Sequence, residues 1–242
     1  MMNLIKADFY RLVKTKMFYI TLLLSIGFTV VQDLSYLSRE PISAGNLTKL
    51  AAGNSDFLWY FILIFSLSMM ANDFTLKTHK NVLTSGLSRT GYYLGKGVFL
   101  ALLAFLVLFT HFSLSYVLGY LSAGAGALSF FSILISFGLQ YLLTLAVVAF
   151  LTFVIVFTQK GTATIFATIL FITAPMIAIR LLQRVLPVLS NLIPFDLRFN
   201  MLAALSQSVQ SGDLLRMILV PLFWILAFNF AGIWYFGKLD IK

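Results

Sequence analysis

The chain has 242 residues, of which 60% are apolar and only 10% charged, with a mean hydropathy of +0.97. Soluble domains are about one quarter charged, so a soluble globular enzyme, a disordered chain and a disulfide-framed secreted module are excluded, and no cysteine is present for thiol chemistry. Seventeen Lys and Arg against eight Asp and Glu give a formal charge of +9; in a chain solvated by lipid, where these residues fall matters more than their sum.

Residues 3–16 (NLIKADFYRLVKTK) place Ile5, Phe9, Leu12 and Val13 on one helical stripe, with Lys6, Arg11, Lys14 and Lys16 able to reach anionic headgroups. A helix lying on the cytoplasmic leaflet is predicted over residues 1–16. A cleaved signal peptide is not expected: the lead is long and basic, and no small-x-small site follows the apolar run. The first span is predicted at 17–37, with Gln32 and Asp33 near its far end.

A second, short span is predicted at 57–71, borrowing residues 51–53 or thinning the bilayer locally. From Gly97 to Gln159 there is no Asp, Glu, Lys or Arg. As one helix this run would be about 95 Å long, roughly three bilayer cores, so it must fold back at the glycines of SAGAGA. That gives spans at 97–121 and 128–158. A turn at Gln159-Lys160-Gly161 leads to a fifth span at 161–182, and a sixth is predicted at 215–236. Residues 183–213 are too apolar for a solvated loop and too broken by Pro187 and Pro194 for a span. Two short helices resting on or dipping into the outer leaflet are predicted there.

Six spans put both termini on one side. Eleven basic residues fall on that side and six on the other, so the termini are predicted to be cytoplasmic. The expected fold is therefore an all-α integral membrane protein, a single permease-like domain over 1–242.

Catalytic constellations are missing. The run Gly91-Tyr-Tyr-Leu-Gly95-Lys96 is one residue short of a phosphate loop, and Gly97 stands where a hydroxyl residue is needed. His79 and His111 are predicted to lie about half a membrane apart, too far for a shared metal. The one Glu, Glu40, falls in a loop, and Asp33 is the one acid within a span, expected at the interface. The chain is not expected to be an enzyme, to hold a metal or cofactor, or to bind nucleic acid. Gln32, Asp33, His111, Gln140 and Asn229 are polar within spans, and interhelical hydrogen bonding is the expectation for most of them over a substrate path. Phe57, Phe61 and Phe65 recur at every fourth position of the second span, a stripe that suits either core packing or a greasy path and subunit contact.

The cytoplasmic loop 72–96 is the most informative stretch. Leu76, Val82, Leu83 and Leu87 form an apolar edge, while Lys77, Lys80 and Arg89 are predicted to face outward. Thr75 can cap a short helix and Gly86 can end it.

The order Thr75-x-Lys77-x-x-Lys80-Asn81-x-Leu83-x-Ser85-Gly86-x-Ser88-Arg89-x-x-Tyr92-x-x-x-Lys96 resembles the intracellular loop of type-2 ATP-binding-cassette (ABC-2) permeases. The opening Asn3-Leu4-Ile5-Lys6-Ala7-Asp8-Phe9-Tyr10-Arg11-Leu12 is similar to that family's amphipathic lead-in. Many relatives carry Glu where Asp73 stands, which weakens the expectation of a salt link to the lead-in helix. The resemblance implies a permease subunit of the bacterial cytoplasmic membrane that pairs with a second copy or a homologous permease. It implies two separate cytosolic ATPase subunits, which hold the ATP and Mg2+. Leu76, Lys77, His79, Lys80, Asn81, Leu83, Ser85, Gly86 and Arg89 would then be the ATPase-coupling residues. The second and fifth spans would face the partner, placing Phe57, Phe61, Phe65 and the kinking Pro175 along the path or dimer interface. A Phe-rich, charge-poor lining would suit hydrophobic or amphipathic cargo such as peptides, including export that protects against antimicrobial peptides. The alternative is a non-transporting immunity or assembly factor that binds a cytosolic partner through the same loop.

Overall fold

The computed structural model describes residues 2–126, 130–182, 187–197, 199–200 and 211–239. Among them every regular element is helical, and six helices are long and apolar enough to cross a bilayer. In chain order the first elements are α1 (Met2–Val13), α2 (Lys16–Leu37) and α3 (Ala44–Gly53). The second span, Ser55–Thr75, is composite: a 3-10 turn (Ser55–Phe57), α4 (Leu58–Ser66), a π turn (Leu67–Ala71) and α5 (Asn72–Thr75). Then come α6 (Thr78–Thr84), α7 (Arg89–Ala123), α8 (Phe130–Thr158), α9 (Gly161–Leu182), a 3-10 segment (Pro187–Phe195) and α10 (Ser211–Lys238). Asp8 of α1 and the main chain ending α10 both reach the first turns of α7, so α1 and the C-terminal end of α10 share one end of the bundle, called proximal below.

The bundle is built around α7 and α8. The most apolar window of α8 is 67% buried, whereas those of α2 and α9 are 22% and 18% buried. The flanking helices turn Leu23, Val31, Phe166, Leu170, Phe223 and Phe230 outward, a surface that suits lipid and not water. α10 and α9 pack on α8, and α2 and α3 pack on α7. An apolar core of Trp59, Ile62, Phe65, Leu103, Val107, Leu143, Val147 and Leu151 joins α4, α7 and α8.

Several boundaries depart from the hydropathy reading. The second span does not borrow 51–53; those residues end α3, a separate helix buried along almost its whole length. The span gains length instead at both ends, through the 3-10 turn and through α5. The third span starts at Arg89, well before 97, because the Ser88 side chain caps the helix by accepting from Gly91 N at 3.0 Å. The loop predicted over 72–96 therefore shrinks to 76–88, its ends being parts of two spans. On α1, Leu12 is buried and Ile5 and Val13 pack inward, but Phe9 is 51% exposed and its place on the inner face is taken by Asp8. Of the two outer helices predicted in 183–213, the segment Pro187–Phe195 is a 3-10 helix; residues 183–186, 198 and 201–210 lie outside the described residues.

The glycine-rich turn predicted at 122–127 does end α7, with Gly124 and Gly126 at φ of 73° and 79°. It also supports α3, whose first donors Ala44 N and Gly45 N give hydrogen bonds to Gly124 O (2.9 Å) and Ala125 O (3.3 Å). α3 can approach α7 because residue 119 is glycine: a Cβ there would lie 2.7 Å from Ala44 Cα and 2.9 Å from Ala44 N, both main chain. Gly119→Ala is expected to destabilise the protein by about 1–3 kcal/mol, seen as a lower Tm in detergent. Gly138→Ala is the control, since a Cβ there meets nothing within 4 Å.

Candidate coupling site

At the proximal end four charged side chains meet: two acids and two bases, with no net charge. Lys96, on the third turn of α7 and 1% exposed, donates to Asp8 Oδ1 (2.8 Å) and Oδ2 (2.7 Å) and pairs with Asp73 Oδ2 at 2.6 Å. Arg11 Nη1 donates to Asp73 Oδ1 at 2.7 Å and Nη2 lies 3.5 Å from Asp8 Oδ1. Tyr92 OH donates to Asp73 Oδ2 at 3.2 Å. The acids are about 95% buried as side chains, and burial of that kind is tolerated only with every charge partnered. Burial alone would lower the Arg11 pKa; the hydrogen bond to Asp73 and the charges of Asp73 and Asp8 outweigh it and hold the guanidinium above its usual value.

The sequence places these groups by helical spacing. Asp8 lies three residues after Ile5 and four before Leu12, on the inward stripe of α1. Tyr92 and Lys96 are one turn apart on α7. Asp73 follows the π turn at Leu67–Ala71, and such a turn leaves carbonyls without their usual helical donors. One of those carbonyls, Met69 O, accepts from Arg11 Nη2 at 3.1 Å. α1 is thus pinned to the irregular part of the second span and to the start of the third.

The loop helix α6 hangs from the same cluster. Thr78 Oγ1 donates to Asp73 Oδ1 at 3.0 Å, and His79 Nδ1 lies 3.0 Å from Asp73 O. A carbonyl only accepts, so the Nδ1 nitrogen carries the hydrogen. The His79 ring is 8% exposed and lies against Phe74 at 4.6 Å between centroids. Val82, Leu83 and Leu87 pack against a core of Met70, Phe74, Tyr92 and Phe236. Arg89 Nη1 donates to Gly237 O (2.8 Å) and Leu239 O (2.6 Å), placing a cation on the C-terminal carbonyls of α10. The 76–88 loop is therefore fastened to the second span, α7 and α10, and through Asp73 to α1.

Of the loop residues singled out from sequence, His79, Leu83 and Arg89 face inward or bind the main chain, while Leu76, Lys77, Asn81, Ser85 and Gly86 are exposed and Lys80 is half-buried. Thr75 does not cap α6; its hydroxyl donates to Ala71 O inside the second span. α6 starts from Lys77, which adopts φ 58°, and this turn lifts Leu76 to 71% exposure. Gly86, at φ 95°, ends the helix as predicted. The salt link to the lead-in helix, made less certain by an Asp where relatives carry Glu, is present: Asp73 pairs with Arg11 at 2.7 Å.

Phe57 and Phe61 are half-buried, while Phe65 is 1% exposed and packs on Phe18 of α2 within the chain. Pro175 lines a cavity of about 310 Å3 whose walls are Trp59, Phe171, Ile172, Phe195, Leu197 and Trp224, with Asp196 also present. Gln140 accepts from Ser55 Oγ at 3.4 Å, and the Asn229 amide donates to Ile225 O of its own helix. Asp8, Lys96 and Tyr92 stand in the motifs quoted from the sequence but were given no role there. A helical wheel of α1 would have shown an acid on its apolar stripe, and Lys96 borders the longest uncharged run of the chain.

Among the described residues the fold is that of an all-α protein with six span-length helices and a braced loop at the end carrying the termini. Residues 18–242 match the family model described as a protein of unknown function, DUF2705, and the chain belongs to that family. No curated protein matches it.

Proposed function

We propose that this chain is the membrane permease subunit of an ABC-2 exporter, with both termini and α6 in the cytoplasm of a bacterial cell. Two separate cytosolic ATPase subunits hold ATP and Mg2+ and push on the 76–88 loop; a second copy or a homologous permease completes the path. One observation carries this reading. α6 is tied by Thr78 and His79 to Asp73, and Asp73 is tied to Lys96 and Arg11, so a load on the loop cannot be absorbed by local bending. A loop that only repels anions or solvates a turn has no need for two buried acids and two bases behind it. The exposed Leu76 and Lys77 form the surface that a partner would grip. The basic excess on the proximal side supports the orientation. The apolar cavity beside Pro175, with its aromatic walls, supports hydrophobic or amphipathic cargo, peptides included.

The test is to replace residues 76–85 with a Gly/Ser linker of equal length. Co-purification with the ATPase, or substrate-stimulated ATP hydrolysis by the reconstituted complex, is expected to fall to background. Undiminished transport after that replacement would overturn the mechanical reading.

A further inference from the structure

At the distal end α2 shows a reversed pattern. Its exposed positions are apolar, among them Leu23, Leu24, Phe28, Val31 and Leu34, while Thr21, Ser25, Thr29 and Asp33 are buried along one face. Spaced by four, they form a polar stripe turned toward α7. Most of it is satisfied. Ser25 Oγ donates to Leu22 O, and Thr29 Oγ1 lies 2.9 Å from both Ser25 O and His111 Nδ1. His111 Nε2 meets Ala51 O at 3.2 Å, so the ring bridges α2, α7 and α3.

One turn further along, near the distal end of α2, Asp33 is completely buried. Ser115, one turn beyond His111, donates to its Oδ2 at 2.7 Å. Asp33 Oδ1 is sealed from solvent with no partner, as are both polar atoms of the neighbouring Gln32 carboxamide. α2 is packed by α7, α4, α3 and α1. The charged or titratable groups they bring are His111, Tyr116 and Tyr120 on the distal part of α7, Tyr60 on α4 and Lys49 on α3. Arg89, Tyr92, Tyr93 and Lys96 on α7 and Lys6, Asp8, Tyr10 and Arg11 on α1 lie at the proximal end. None of them forms an ion pair or hydrogen bond with Asp33; Lys96 and Arg11 are committed to Asp8 and Asp73.

We propose that Asp33 is a proton-binding site. While α2 and α7 are closed on each other its carboxyl carries a proton, and when their distal ends part the proton passes to water, leaving a hydrated carboxylate. An ionised acid sealed in this seam would lose its hydration and gain one hydroxyl donor in return, and among the described residues no cation pairs with it to offset the loss. A span residue of this kind marks a site more often than a packing contact, because an apolar residue would seal the seam at lower cost. The seam is therefore a latch held by the neutral acid, weakened wherever water reaches Asp33.

The inference is independent of the exporter reading and is tested without an ATPase, on the full chain in lipid nanodiscs. A folded state that holds a proton the unfolded chain releases above about pH 4 loses stability as pH rises, by up to about tenfold in the folding constant per pH unit. Above about pH 4, and until the folded-state carboxyl itself ionises, the wild type is expected to show this slope and Asp33→Asn to lack it. The infrared carbonyl band of a protonated carboxylic acid, present at neutral pH in the wild type, should be absent from Asp33→Asn. If Asp33→Asn does not fold, Ser115→Ala keeps the acid and removes its donor, and the same band should remain but shift. Identical bands and slopes in wild type and Asp33→Asn, or a Ser115→Ala band that does not move, would overturn the proposal. So would a stability that depends on Na+ against K+ at constant ionic strength, since that would make the site a cation site.

Discussion

Lys96→Met should be among the most damaging single substitutions in the chain, with an expected loss of about 3–5 kcal/mol. The methionine is apolar and of similar length, so packing is nearly preserved, and the loss comes from charge. Lys96 is the partner of both acids, contacting Asp8 through two oxygens and Asp73 through one. Without it two buried carboxylates face a single guanidinium. The double variant Asp8→Leu/Lys96→Met leaves Arg11 and Asp73 as a matched pair at 2.7 Å and should recover most of the stability. Melting curves of the three proteins in the same detergent separate the two accounts: if Lys96 acts through volume alone, the double variant will be no better than the single one.

Under the proposed exporter reading, His79→Ala is expected to leave ATPase binding largely intact while cutting substrate-stimulated ATP turnover by about tenfold, equivalent to about 1.4 kcal/mol of lost coupling. The ring is buried and so is not part of the surface that a partner touches. Its hydrogen bond to Asp73 O and its contact with Phe74 fix the angle at which α6 leaves the second span. Removing it leaves Leu76 and Lys77 in place but lets α6 swing, so in the proposed mechanism force would be dissipated before it reaches Asp73. Measuring co-purification and hydrolysis on one preparation distinguishes this from loss of docking. Equal loss of both would mean that His79 shapes the contact surface and does not transmit load.

The span count and the two tight turns were legible because hydropathy is a local sum. Each window of about twenty residues carries its own transfer free energy to lipid, independent of what it packs against. The glycine turn at 122–127 and the αL glycine at 86 were legible for a similar reason, since backbone conformations of that kind are set by the residue itself. Span ends were less legible: the cap at Ser88 extends α7 through polar residues that hydropathy assigns to the loop. α3 was not foreseen because a ten-residue helix of small and mixed residues, with Asn46 and Lys49 among them, has no signal until Gly119 offers it a place to pack.

What the sequence by itself determined is that lipid is the solvent, that six segments are long enough to cross it, and that the basic residues are unevenly shared between the two sides. Only the tertiary structure decided which charges meet. Arg11 finds Asp73 across 62 positions and Lys96 finds Asp8 across 88, while Asp33 is left with a serine. The physical reason is that burial of a charge has no fixed cost along the chain. It is set by the partner that the fold brings within about 3 Å, and that partner comes from a helix that no local window contains.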